Sequence, residues 1–521
     1  MTTPSQKTWV CLAFVCLGCI TGQAATWYAA ANGNSTNGTL AAPWSVPYSV
    51  TNTNPHLQPG DTVIFKAGTF ICTETNASAE LGSILEFRKS GTSSAKITYQ
   101  AHGLWGFAFD GGLYIPQTTS NLVIRYCRVF YSGSTNRERY SIYTHPPGIQ
   151  HLGPGIDLLH NLVENTGHPG IGSWKTTRGK HIAGNIVRFV GNQDHTPGQV
   201  DGQRGAGMYL QNMDDSAEAL IRGNISYYNN TEGMQAYGNR DIWGFRFANN
   251  IITSNSLGGI LYHQDDYSSR GLTVQSNYMF NNAAGVRIGY PLGIGGHTNA
   301  IVTGNYIVDY SYPFYQADGW TNCIYTNNIG VNPYNRFMWS LETLSQVNAG
   351  DVTSHTINHN TYAMTNHFST SPFAFQVAST NWAFTNWQAV VRGDTNSTYN
   401  LSVPSNVAIY VFAPSTDLNF VHVAVFNWTN ASTTTVDLTP YFAAGTRIAI
   451  YDAQDIPNSY TNLSSSTTVP LNLTRTNRAT MLGTFTQRAD SWTGFDPRFR
   501  AFVIYRDTSQ LGPPSRLQVA Q

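Results

Sequence analysis

Through the middle of the chain, apolar positions alternate with polar ones in twos, and the runs they form are punctuated by asparagine. The segments GKHIAGNIVRF, ALIRGNISYYNN, FRFANNIITSN, LTVQSNYMFNN, AIVTGNYIVDY and CIYTNNIGV carry Asn185, Asn224, Asn250, Asn277, Asn305 and Asn328. The intervals between these asparagines are 39, 26, 27, 28 and 23 residues. Around them the apolar residues, such as Ile182 and Ile186, Leu272, Val274 and Met279, or Ile301 and Ile307, follow the period of a strand and leave no helical stripe. Each unit has a further strand entered through glycine: GMYLQ from Gly207, GMQAY from Gly233, GILYH from Gly259 and GVRIG from Gly285.

A unit this short, with two or three strands, buries its apolar face only by stacking on copies of itself. The pattern therefore predicts an all-β chain built on a parallel β-solenoid. A leucine-rich horseshoe is the rival, because LTVQSNYM fits its core motif, but the upstream leucines and the helical convex segment of that repeat are missing. The recurring asparagines are expected to form an internal amide ladder that satisfies turn backbone, and so belong to the fold.

The stretch ATWYAAANGNSTNGTLAAPW followed by LQPGDTVIFKAGTF resembles the opening of secreted right-handed parallel β-helix proteins of the pectate-lyase-like superfamily. GIDLLHNLVENTG, GAGMYLQN and GMQAYG are similar to repeats of the same superfamily, and the resemblance covers roughly residues 26 to 365. It implies a right-handed parallel β-helix and secretion. It does not imply a reaction, since the superfamily holds polysaccharide lyases, glycoside hydrolases, esterases and phage tailspikes.

After about residue 395 the texture changes to alternating strands without the asparagine repeat, including NVAIYVFAP, FVHVAVFNW, GTRIAIYDAQD and RAFVIYRD. We expect a secretory signal over 1–25, the β-helix over 26–395 and an antiparallel β-sandwich over 396–521. The sandwich is expected to cap the open end of the solenoid, with carbohydrate binding as its alternative role. Lys7, WVCLAFVCLGCI and TGQAA give the signal its three parts. The protein is expected to be secreted or periplasmic; Cys19 as a lipid-anchored residue is the alternative. Cys72, Cys127 and Cys323 then remain, too sparse for a disulfide framework or a zinc site.

Composition narrows the partners. Only 11% of the 521 residues are charged, against about a quarter in an ordinary globular protein, and Lys+Arg balances Asp+Glu at 29 each. No bulk field is available for a nucleic-acid backbone. No later segment is apolar enough to span a membrane. A monomer is expected.

Aligning the glycine-led strands sorts side chains by face. Ile171, Met208, Met234, Ile260 and Val286 are expected to point inward, with Leu210, Ala236, Tyr262 and Ile288 two places on. Tyr209, Gln211, Gln235, Tyr237, Leu261, His263, Arg287 and Gly289 then point outward, with Trp174 in the coil before. Rings stack on sugar C–H faces while amide and guanidinium groups read hydroxyls or carboxylates, so a polysaccharide along the helix axis fits. Asp214 and Asp215, Arg240 and Asp241, and Asp265 and Asp266 recur where these strands end. The long interval before Asn224 adds a loop with Asp194, His195, Asp201 and Arg204 to the same region.

Three readings follow. In a glycoside hydrolase, Asp265 or Asp266 would work with Asp241 or Asp215 as acid and base, with His263 orienting them. In a lyase, Lys175 or Arg240 would be the base, while Arg287 or a calcium ion held by the acids neutralised a uronate carboxylate. A non-catalytic carbohydrate-binding solenoid would need the rings and not the acids. Substrate contacts are expected from Trp174, Arg204, Tyr209, Gln211, Gln235, Tyr237, Arg240 and Arg287. No cofactor is required, and the clustered carboxylates could equally hold calcium. The excess of acids over lysines on this face favours hydrolysis.

Overall fold

The computed structural model describes residues 24–72, 84–132, 148–166, 169–173, 179–191, 205–213, 217–238, 241–264, 269–289, 297–309, 311–316, 320–333, 337–341, 352–365, 374–377, 380–456, 461–463, 467–474, 479 and 496–506. Three long sheets of 13, 12 and 12 strands run side by side, and the chain visits them in rotation. We call the one that opens with Thr26–Ala30 sheet 1, the one containing Leu162–Glu164 sheet 2, and the one containing Met208–Leu210 sheet 3. Each strand pairs in parallel with its counterpart one coil away; the exceptions are Phe375–Val377 and Thr380–Trp382, which close sheet 3 as an antiparallel pair. This is a parallel β-helix, and the strong handedness preference of parallel crossovers makes it right-handed. Four of the coils add a short fourth strand after sheet 3, as at Ile242–Trp243 and Ser269–Arg270.

The asparagines stack as expected. Backbone and side-chain N–H groups of Asn185 donate to Asn224 Oδ1 at 3.0 Å, and the pattern repeats through Asn250, Asn277, Asn305 and Asn328. The ladder is longer than its sequence signature, beginning at Asn161 and ending at Asn360. The residue before each rung (His160, Gly184, Gly223, Asn249, Ser276, Gly304, Asn327 and His359) has left-handed φ, which explains the glycine and asparagine at several of those places. A second ladder runs from Asn229 through Asn255 and Asn282 to Asp309.

The inward and outward sorting on sheet 3 agrees with the register. Ile171, Met208, Met234, Ile260 and Val286 are buried, as are Leu210, Ala236, Tyr262 and Ile288. Ile301 differs: Ala300 and Val302 point into the core of sheet 1, so the alternation turns Ile301 out, 38% exposed.

The two ends of the solenoid are closed locally. Trp44 is fully buried beside the helix Val46–Val50 and stacks on Trp27 at 4.8 Å. At the other end the helix Phe384–Val391 places the buried Trp387 5.7 Å from Trp339 and 5.0 Å from Phe375. Thr398–Asn400 still pairs with Thr361–Met364, so the last coil passes the expected boundary at residue 395.

The C-terminal strands form a five-stranded antiparallel sheet packed against a two-stranded one. Val421, Val423 and Val425 face the small sheet, in a cluster with Val436, Leu438 and Val469. Phe420, Ala424 and Phe426 alternate onto the other face and join the core of the solenoid. The expected cap over the open end is therefore replaced by a wall along the flank. Phe280 stacks on Phe499 at 5.1 Å, Tyr306 on Phe426 at 4.1 Å, Tyr278 on Tyr410 at 4.5 Å and His160 on Phe420 at 3.8 Å. The reason is the outer row of sheet 2, where Glu164, Arg188, Tyr227, Thr253, Phe280 and Val308 lie in register and bear too many large side chains to be left in water.

Candidate functional site on the outer face of sheet 3

Sheet 3 carries one continuous outward row. In register across successive coils stand Glu86, Tyr114, Gln150, Gly172, Tyr209, Gln235, Leu261, Arg287, Tyr315, Ser340 and Gln376. The neighbouring row brings Tyr237 opposite His263. Tyr209 and Tyr237 approach with ring centroids 6.0 Å apart, and the Arg287 guanidinium lies 5.4 Å over the Tyr315 ring. The backbone thus places Tyr209, Gln235, Tyr237 and Arg287 on one wall. The row is more enclosed than an open ladder would be: Gln235, Leu261, Tyr315 and Ser340 are buried, as is Gln211 just after Met208–Leu210. Neighbouring coils stand only about 4.8 Å apart, so long side chains cover the shorter ones.

Several expected residues lie outside the described part of the chain: Asp215, Asp265, Asp266, Trp174, Arg204 and Arg240, together with the side chain of His263 and the loop residues Asp194, His195 and Asp201. Asp241 is described and half-buried, just before the short strand Ile242–Trp243. Among the described residues no group of three or more His, Cys, Asp or Glu is placed to hold a metal ion.

The start of the sheet-3 strands holds a constellation that the alignment of glycine-led strands passes over. Glu232 precedes Gly233 in the strand Glu232–Gly238 and pairs with Gly258; the same row continues through Ala284 to Tyr312. A methyl group on Gly258 would lie 3.8 Å from Glu232 Cγ and 3.9 Å from Arg287 Cδ, so both side chains lean over a floor that has none of its own. Tyr312 closes the far side, stacked on Phe337 at 5.8 Å. Burial pushes the Glu232 carboxyl above the usual carboxylate range; Arg287 and hydrogen bonds at the strand start oppose the shift without cancelling it. Among the described residues the Arg287 guanidinium has no hydrogen-bond or ion-pair partner, and the buried Gln235 Oε1 has none either. A slot of this kind offers a carboxyl, a cation, an amide acceptor and ring faces to a ligand.

No model of a known protein family matches the chain, and no curated protein matches it. Among solved structures it is similar to the pectate lyase Pel9A, with 16% identity and a TM-score of 0.38 over 64% of this chain and 78% of that one. An alginate lyase from a Paenibacillus species is similar at 14% identity and a TM-score of 0.36, over 61% of this chain and 98% of that one. The Dettilon tailspike protein is similar at 11% identity and a TM-score of 0.39, over 85% and 87%. At these identities the likeness is one of fold, and the assignment of a parallel β-helix rests on the three ladders of this chain itself.

Proposed function

We propose that this protein is a secreted carbohydrate-active enzyme that lays a polysaccharide across the outer face of sheet 3 and hydrolyses it. The observation that carries the reading is the in-register row of Tyr209, Gln235, Leu261, Arg287 and Tyr315, in which two rings flank an amide whose Oε1 has no partner and a guanidinium that makes no hydrogen bond among the described residues. Tyrosine faces match the C–H faces of pyranose rings, while a guanidinium and an amide read hydroxyl or acidic substituents. The described part of the face has carboxyl groups at both edges, Glu232 and Asp241, and no lysine; proton-transfer hydrolysis suits that balance better than base-driven elimination. Glu232 and Asp241 do not form an acid/base pair, because a seven-residue strand holds the two edges roughly 20 Å apart, well beyond the ~5–9.5 Å that glycosidase pairs span.

The test is incubation with polygalacturonate, alginate, xylan, β-1,3-glucan and chitin, with and without chelator. New reducing ends without ultraviolet absorbance support hydrolysis. Absorbance from an unsaturated uronide replaces it with elimination, and neither binding nor product on any polymer ends the reading.

A further inference from the structure

The sequence motifs place acids at the edge where the sheet-3 strands end, yet the buried carboxyl on this face sits at the edge where they begin. Glu232 is 4% exposed, at the first position of Glu232–Gly238. Its nearest cation, Arg287, comes from two coils further on and forms no ion pair with it; the two side chains meet over Gly258. An arginine that only neutralised this acid would close on it as a fork, as Arg188 and Arg128 do on Glu164, where both Nε–H···O distances are 2.6 Å. Instead the Arg287 guanidinium is held back on Tyr315 and its donors are left for something else. Gln235, three residues after Glu232, holds its unpartnered Oε1 on the same side of the sheet. Gly258 and Ala284, small buried residues in consecutive coils, lie between Glu232 and Tyr312, with the Glu232 and Arg287 side chains closing over Gly258 at contact distance.

We propose that Glu232 is the proton-donating carboxyl of the sheet-3 site, with Arg287, Gln235 and Tyr315 holding the sugar whose bridging oxygen it protonates. The inference rests on the hydrolytic reading above. In the step it implies, the carboxyl proton passes to the glycosidic oxygen as the bond from that oxygen to the anomeric carbon breaks. Water adds to that carbon, and the proton the water gives up restores the carboxyl. A carboxyl whose hold on its proton burial strengthens is suited to the first half of this exchange. Arg287 opposes the rise without reversing it, and forms no ion pair with Glu232.

The experiment compares wild type, Glu232→Gln and Glu232→Asp on whichever of the five polymers the wild type cleaves, across pH. Glu232→Gln is expected to lose on the order of 10²–10⁴ in kcat, while affinity for an oligosaccharide of that polymer and the melting temperature stay near wild type. Glu232→Asp is expected to keep part of the activity and to move the alkaline limb of the pH profile, which a purely structural role would leave in place. If Glu232→Gln retains a third or more of the wild-type rate, the proposal is overturned while the carbohydrate reading stands. If Glu232→Gln melts early, Glu232→Asp decides, and an unmoved alkaline limb overturns the proposal. If the wild type cleaves none of the polymers, both fall together.

Discussion

Asn282 donates its backbone N–H and its side-chain Nδ2–H to the same carboxyl oxygen of Asp309, at 2.7 and 3.2 Å, while the other Asp309 oxygen is buried without a partner. Every earlier rung of this ladder is an amide, so Asp309 is the one rung that titrates. Burial pushes its carboxyl up to about 7, with the two bonds from Asn282 pulling the other way. A folded pKa above the unfolded value means the native state binds the extra proton between roughly pH 4 and 7. The contribution is therefore complete at low pH and is lost as pH rises through that window. Asp309→Asn should remove this loss, raising stability by about 1–3 kcal/mol at pH 8 and little at pH 4. Denaturant midpoints at the two pH values test it; equal effects at both would show that the carboxyl does not titrate as described.

That second ladder was open to reading. Asn229, Asn255 and Asn282 each follow a first-ladder asparagine by five residues, in NISYYNN, NIITSN and NYMFNN, and a strand of fixed length between two turns makes such a spacing structural. Strand alternation likewise gave the inward set from Ile171 to Val286, because a period of two needs no knowledge of neighbours. Glu232 was a different matter. Its burial comes from residues one and two coils away, and a lone acid before a glycine has no local signature. The flank position of the C-terminal sheet was hidden for the same reason: Tyr227, Phe280 and Phe499 announce that they need cover, not which surface supplies it.

Arg188 ties that wall to the solenoid. Its Nη2–H donates to Ile456 O at 2.6 Å and its Nη1–H to Tyr227 Oη at 2.8 Å, while Nε–H holds Glu164. Burial alone would raise the Glu164 carboxyl, but Arg188 and Arg128 outweigh it and hold it below the usual range. Arg188→Met leaves a buried carboxylate with one partner fewer and frees the carbonyl of Ile456. It should cost about 3 kcal/mol and increase amide exchange first in Ile448–Asp452 and Phe499–Arg506. Unchanged exchange in these strands would mean the aromatic contacts alone hold the wall.

Three histidines, His151, His160 and His422, are fully buried, and burial pushes each down to about 3. His151 stands opposite Ser173 in the interior row of sheet 3, near the buried Lys180, whose Nζ–H donates to Ser173 Oγ at 2.7 Å; both nitrogens of the His151 ring lack partners. With folded values below the unfolded 6.5, the unfolded chain takes up protons that the folded one refuses. Stability should fall as pH drops from about 6.5 towards 3 and level off below that. His151→Leu, which continues the aliphatic row from Ile115, should flatten this fall by up to about 3 kcal/mol at pH 4. Melting curves from pH 4 to 7 measure it, and an acid slope as steep as in the wild type would count against a neutral His151.

Gly258 offers the most direct check on where a sugar sits. A Cβ there would make ordinary contacts, with Ala284 O at 3.4 Å, Glu232 Cγ at 3.8 Å and Arg287 Cδ at 3.9 Å. Its φ is not among the left-handed ones, so a side chain there meets no backbone penalty. Leucine at this place would extend between Glu232 and Arg287 and occupy the floor without breaking a ladder bond. Gly258→Leu should therefore leave the melting temperature nearly unchanged while weakening oligosaccharide affinity by roughly 10-fold or more, the scale on which pockets reject misplaced methylenes. Arg287→Lys should weaken it comparably for another reason: lysine keeps the charge but loses the planar fork and its seat on Tyr315. Isothermal titration with the same oligosaccharide reads both variants. If Gly258→Leu binds as the wild type does, the ligand lies elsewhere on sheet 3, and the slot between Glu232 and Tyr312 is a packing feature of the coil.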